Sequence, residues 1–313
     1  MQVFIAGATG TLGRHLTQIL IQRGHQVVGL ARSAEKADAV RRLAGRPVIA
    51  DLFDPDALAR AAEGSEVVIH AATSIPVGPA ARNREAWEAN DEIRRRGTAS
   101  LALAAGRIGA RRYLQQSVAW VFSRKPGEPR YDESTRTSPP RLLESAVDGE
   151  RLAREAGARF NFSVGILRPG TFYGADTAHS RMMANLLRRR RLPIPGRGDW
   201  LVAPVHVRDA AQALALAAET DRPGIWHVVD DEPVPFADLI RRFAAVLRAP
   251  APRRAPLWLA RLLLGTDTFE AMTTSMNTSN LKTRRELGWV PLLRNYREGL
   301  AAMAEELAER KAA

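Results

Sequence analysis

The sequence contains no cysteine. Disulfides, thiolate metal sites and a cysteine nucleophile are therefore excluded. Lysine is scarce as well: Lys36, Lys125, Lys282 and Lys311 are the only four, and the rest of the 46 basic residues are arginine. Aromatic residues make up 6% of the chain and include four tyrosines, Tyr113, Tyr131, Tyr173 and Tyr296. No apolar run approaches the roughly 18 residues of a membrane span. The opening "MQVFIAGATG" lacks a basic segment followed by an apolar one, so no signal peptide is expected. No grouping of His, Asp and Glu has metal-ligand spacing, and no metal is expected. These absences lead to the expectation of a cytoplasmic protein without a membrane partner.

What is present supports a packed core. The chain has 313 residues, 45% of them hydrophobic, enough for one large domain or a domain with a lobe. The formal charge is +12, which raises the question of nucleic acid. The arginines are spread along the chain, however, and only "RRRR" at 188–191 is dense. That run reads first as a solvated helix end and second as a site for an anionic ligand or partner. Nucleic acid is not expected, a small-molecule substrate is, and a homodimer is allowed for.

The N-terminal half alternates short apolar runs with longer amphipathic ones. "VFIAG", "QVVGLA", "PVIAD", "EVVIHAA" and "RYLQQSVAWV" read as buried strands, and "FSVGILRP" as a sixth. "TLGRHLTQILIQRG", "AEKADAVRRLAG", "DPDALARAAEG" and "RRRGTASLALAAGRIG" read as the helices between them, and "RLLESAVDGERLARE" as another. Strand–helix alternation with continuously apolar strands predicts an α/β fold, a parallel sheet covered by helices on both faces. From about Thr171 proline and glycine become frequent and helices dominate. This divides the chain into an N-terminal domain over 1–170 and a smaller, mainly helical lobe over 171–313. Within the lobe, 201–230 returns to the first domain through "GIWHVVD".

"GATGTLGR" places Gly7, Gly10 and Gly13 after the first strand and at the start of a helix, with Thr9, Thr11 and Leu12 between them. Glycines there permit a tight turn and close backbone approach to a pyrophosphate, and the helix N-terminus supplies N–H donors. The end of the second strand separates NAD from NADP. An acid there would hold the ribose hydroxyls of NAD. This chain has Ala31 and Arg32 instead, and a guanidinium suits a 2′-phosphate. NADP(H) is expected over NAD(H), with Arg14 or Lys36 as helpers. Asp51 and Leu52 would flank the adenine, and Ala71, Ala72 and Thr73 would line the end of the fourth strand.

With these residues the chain resembles the extended short-chain dehydrogenase/reductase superfamily, the NAD-dependent epimerase/dehydratase group. "GATGTLGR", "ADLFDPDAL", "VVIHAAT", "ILRPGTFYG", "PVHVRDAAQAL" and "SNLKTRRELGWVP" resemble family segments in family order. The resemblance implies a Rossmann-type doubly wound parallel sheet forming a dinucleotide-binding NAD(P) domain over 1–170, with a C-terminal substrate-binding lobe over 171–313, and Pro169 joins the cofactor residues. It also implies a Ser near the end of the fifth strand and a Tyr-x-x-x-Lys on the next helix. Aligning on Glu150 puts Val118, Leu142 and Ala146 at those three positions. No register shift restores the motif, because the residues four beyond the tyrosines are Ser117, Thr135, Thr177 and Leu300.

Other groups near the cofactor are then candidates for the missing acid. His179, Tyr173 and Ser117 are candidate catalytic residues; of the three, only an imidazole ordinarily titrates near neutral pH. Gln116, Trp120, Thr171 and Arg181 are candidate substrate contacts. Three functions follow as expectations. One is an NADP(H)-dependent oxidoreductase acting on a small, largely apolar carbonyl compound through a non-standard acid. The second is an epimerase, dehydratase or isomerase that retains its cofactor. The third is a non-catalytic NAD(P)-binding sensor or regulator.

Overall fold

The computed structural model describes residues 1–312, with side chains to residue 309. Its centre is a seven-stranded, wholly parallel sheet. The strands are β1 (Gln2–Ala6), β2 (Gln26–Ala31), β3 (Arg46–Ile49), β4 (Val67–His70), β5 (Arg112–Gln116), β6 (Ser163–Pro169) and the late strand Gly224–Val228. Their spatial order is Gly224–Val228, β6, β5, β4, β1, β2, β3. The order reverses beside β1, which pairs with β2 on one side and β4 on the other. In such sheets a ligand crevice forms outside the strand carboxyl ends at the reversal.

Alternation along the strands builds two cores. Val3, Ile5, Val27 and Ile69 face a layer made by α1 (Thr11–Gln22), α2 (Ala34–Arg42) and α8 (Val207–Ala218). Phe4, Ala6, Val28 and Val68 face α3 (Pro55–Ala61), α5 (Thr98–Arg107) and α6 (Glu144–Phe160). A sheet covered on both faces buries both side-chain sets, which is why the strands read as continuous apolar runs. α8 is almost all alanine and leucine on its inner side, and it lies flat against α1.

Beyond β6 a third cluster forms the lobe. It joins Tyr173, Met183, Leu187 and Ile194 to Trp200, Ile240 and Phe243. α7 (Ala178–Arg188) lies at its start. Short strands thread the lobe onto the sheet: Thr171–Tyr173 runs parallel to Pro204–His206, and Gly224–Val228 pairs with β6.

Two local expectations differ from the structure. "RYLQQSVAWV" was expected to be strand throughout, yet β5 stops at Gln116. β4 ends at His70, opposite Gln115, so one neighbour is lost there. The chain goes on alongside β6 alone, through Ser117 N–H to Leu167 O (2.7 Å) and Ala119 N–H to Pro169 O (2.8 Å). The second difference is a helix with no counterpart in the reading, α4 (Arg84–Glu92). Asn83 caps it by accepting from the Glu85 N–H at 3.0 Å. Its polar sequence conceals the apolar stripe by which helices are recognised.

Candidate active site

The glycine turn is sterically compelled. Gly7 has φ +96°, and a Cβ there would lie 2.6 Å from the backbone of Ala71 and Ala72. A Cβ on Gly13 would lie 1.9 Å from the Gly7 carbonyl oxygen. β1, the start of α1 and the end of β4 therefore meet with no room for side chains. α1 begins at Gly10 without a side-chain cap and without an acid in its first turn. Its leading N–H groups and positive dipole end are left for an anion. This cradle fits a dinucleotide pyrophosphate.

The other cofactor candidates stand around it at the strand ends. Arg32 is exposed after β2 and has no carboxylate partner among the described residues. Ser33 caps α2 through the Lys36 N–H, so the backbone turns sharply beside Arg32. Asp51 is exposed after β3 and accepts from the Phe53 N–H, while Leu52 is half-buried against Gly97. Ala71 is buried, Ala72 half-buried and Thr73 exposed. Pro169 is buried at the end of β6. Arg14, expected as a phosphate helper, is engaged elsewhere: it grips Asp176 at 2.6 Å, and His15 meets the same oxygen at 2.7 Å. Burial favours a neutral Asp176, but His15 and Arg14 outweigh it and hold the carboxyl well below the usual range. The pair ties the cofactor helix to the start of the lobe. The sequence gives no local sign of a contact across 162 positions.

The candidate acids differ in their surroundings. Ser117 is buried and donates to Glu150 at 2.6 Å. Glu150 is itself clamped by Arg168 through two bonds of 2.7 and 2.6 Å. Tyr173 is buried and donates to Asp230 at 3.1 Å, and burial together with Asp230 pushes its phenol far up. Neither hydroxyl is free. His179, in the first turn of α7, is half-buried with no hydrogen-bond partner among the described residues, and burial pushes its imidazole down. Arg181 is exposed on the same helix. Gln116 is buried with its Oε1 unpartnered, and Thr171 and Trp120 are half-buried. Trp120 packs against both the lobe and the cluster described next.

Val118, Leu142 and Ala146, the three positions that the family resemblance aligns with Ser, Tyr and Lys, come together in one apolar cluster. Trp87, Val121, Phe122, Tyr131, Leu143 and Ala271 complete it. The Tyr131 hydroxyl donates to the Ala119 carbonyl at 2.9 Å, and burial pushes its phenol up. Leu142 also lines a cleft whose rim carries Arg82, Arg84, Trp87 and Asp267. Sequence reasoning did not find this cleft, because Trp87 and both arginines lie on or beside the unrecognised α4.

A strand-order reversal beside β1, a glycine cradle on a helix N-terminus and a lobe tied to that helix through Arg14 and Asp176 match a dinucleotide-binding enzyme of the short-chain dehydrogenase/reductase type. The chain belongs to the NAD dependent epimerase/dehydratase family, whose model matches residues 3–228. It is 35% identical over 314 residues to a 3-diazoavenalumate denitrifying reductase of a Streptomyces species, covering 96% of this chain and 99% of that one. It is 28% identical over 340 residues to a 4-hydroxy-2-methyl-3-oxo-4-farnesyl-3,4-dihydroquinoline-1-oxide ketoreductase of Stigmatella aurantiaca, covering 97% and 96%. Among solved structures, UDP-glucose 4-epimerase of Thermotoga maritima superposes with a TM-score of 0.82 over the whole of both chains at 17% identity. Family and relatives make this chain an NAD(P)-dependent enzyme of the oxidoreductase or epimerase/dehydratase type.

Proposed function

We propose that the chain is an NADP(H)-dependent reductase that replaces a diazo group on an aromatic acid by hydrogen. The observation that carries the reading is the apolar cluster of Val118, Leu142 and Ala146. Carbonyl reduction places charge on oxygen and gains from a proton donor within hydrogen-bond reach. An aryl diazo carbon has no such need: a dinucleotide held through its pyrophosphate at the glycine cradle would supply a hydride to that carbon, the C–H bond forming as the C–N bond breaks, with dinitrogen leaving and the ortho oxygen left as a phenolate that takes its proton from water. Side chains at Val118, Leu142 and Ala146 then have only to exclude water and hold a flat ring. The 35% identity to a denitrifying reductase over nearly the whole chain supports the same choice.

The remaining residues take roles consistent with this. Gly7, Thr9, Gly10, Thr11, Leu12 and Gly13 hold the pyrophosphate. Arg32 binds the 2′-phosphate, Asp51 and Leu52 flank the adenine, and Ala71, Ala72, Thr73 and Pro169 border the nicotinamide half. Trp87 and Leu142 wall the ring, and Arg82 faces the carboxylate of the acid. A second reading, carbonyl reduction with His179 as proton donor, is favoured by the unpartnered imidazole on α7 and by the ketoreductase relative.

The test is turnover of NADPH with an ortho-diazophenol carboxylic acid and, in parallel, with a panel of aryl ketones. The proposal expects one dinitrogen released per NADPH consumed, no ketone turnover, and a rate unchanged within about twofold in His179→Gln. Ketone turnover lost in His179→Gln would transfer the function to the second reading.

A further inference from the structure

The arginine run 188–191 takes no part in the site, and it lies beside an unusual helix. Leu257–Leu264 has the sequence LWLARLLL, and of its residues only Ala260 is buried. Leu257, Trp258, Leu262 and Leu263 are 48, 67, 59 and 59% exposed. Single exposed leucines are ordinary, but four large apolar side chains on one eight-residue surface helix form a patch that calls for a partner. The helix also touches the segment Gly78–Arg82, which follows exposed Ile75 and Val77 in the chain.

Positive charge borders the patch. Arg253 and Arg254 stand ahead of the helix, separated from it by Ala255 and Pro256, and Arg254–Ala255 pairs with Ile194–Pro195, three residues after the arginine run. Arg190 and Arg253 line one cleft with Leu187, Leu192 and Pro250. Arg188, Arg189, Arg190, Arg191, Arg253 and Arg254 are all exposed, and none has a carboxylate partner among the described residues. Nearby Arg197 and Arg261 do, at 3.0 Å to Asp199 and 3.8 Å to Glu270. Six guanidiniums without a carboxylate partner among the described residues, in a chain of charge +12, thus lie on the two segments that border one tryptophan and three leucines.

We propose that this face docks on the surface of an anionic lipid bilayer, with Trp258, Leu262 and Leu263 seated among the acyl chains and the arginines on the headgroups. Interfacial helices combine these features, an apolar side bearing Trp and Leu and a basic border. The sequence reading excluded a membrane partner because no segment can cross a bilayer; among the described residues no helix is long and apolar enough to do so. Lying on a bilayer is a different requirement. A second copy of the chain is the weaker occupant, because a two-fold contact would bring the same arginines together from both sides. Nucleic acid would answer the charge and leave the leucines in water.

The test is co-sedimentation of the full chain with vesicles of phosphatidylglycerol and phosphatidylcholine, against phosphatidylcholine alone. The expected result is binding to the anionic vesicles, at least about tenfold weaker to the neutral ones and weakened by salt. Leu262→Ser with Leu263→Ser, and Arg189→Glu with Arg190→Glu, should each reduce binding about tenfold while leaving thermal unfolding and NADPH affinity unchanged. Absent binding, equal binding to both vesicles, or binding indifferent to the leucine pair would overturn the proposal. So would a dimer in sedimentation equilibrium that the leucine pair abolishes, which would assign the face to a second copy.

Discussion

Arg32 and Leu142 are the residues on which the functional reading turns. Arg32 has no carboxylate partner among the described residues and sits where an acid would select NAD. Arg32→Ala should weaken NADPH by about 1.5–3 kcal/mol, as for a hydrogen bond to a charged group, and leave NADH nearly unchanged. Fluorescence titration of both cofactors checks this; equal loss for the two would remove the phosphate role. Leu142 and Ala146 are 2 and 3% exposed in an apolar cluster. Leu142→Tyr with Ala146→Lys would bury an ammonium group among Trp87, Val118 and Phe122, where desolvation opposes its charge. The double variant should lose stability in denaturant and gain little ketone reductase activity. Strong new activity on ketones in a stable protein would mean that only those two groups were missing.

At the scale of elements, Glu150 on α6 is the joint between helix and sheet. It holds Ser117 after β5 and Arg168 on β6, and the side chains of Glu150 and Arg168 are both out of solvent. Removing one partner of a buried pair leaves the other uncompensated. Glu150→Ala should therefore destabilise by about 3–5 kcal/mol, read by urea unfolding, and an effect under about 1 kcal/mol would show that water replaces the carboxylate. The elements were unequally legible in the sequence. The glycine turn was readable because its chemistry is local: strand, three glycines and helix are contiguous. The strands were readable because a doubly covered sheet demands apolar runs. α4 was not, since its only apolar residues are Trp87 and two alanines. The bond from Ser117 to Glu150 and the grip of Arg14 on Asp176 were not either, since both link segments far apart in the chain. The alignment of Val118, Leu142 and Ala146 rested on resemblance alone, and only three-dimensional packing shows them as one surface.

The whole molecule carries a pH liability in its buried imidazoles. His70, at the end of β4, is wholly enclosed, with Nδ1 unpartnered and Nε2 3.2 Å from the Ile93 carbonyl, and burial pushes its pKa down to about 4. The unfolded chain binds a proton at this residue below about 6.5, and the folded one does not until about 4. His70 therefore makes stability fall as pH drops through that window, by up to ~1.4 kcal/mol per pH unit. Urea unfolding between those limits should show a slope in wild type about one proton steeper than in His70→Asn. Equal slopes would mean that His70 is solvated or charged in the fold.

The fold, the cradle and the apolar cluster together support the central claim of the proposed function: hydrogen reaches the substrate without a proton-donating side chain. Product labelling with NADPH deuterated at C4 tests this most directly, using the ortho-diazophenol carboxylic acid as substrate. The account predicts one deuterium on the ring carbon that carried nitrogen, none at that carbon when the label is in the solvent instead, and a rate insensitive to His179→Gln. Solvent deuterium at that carbon, or consumption of NADPH without release of dinitrogen, would contradict it.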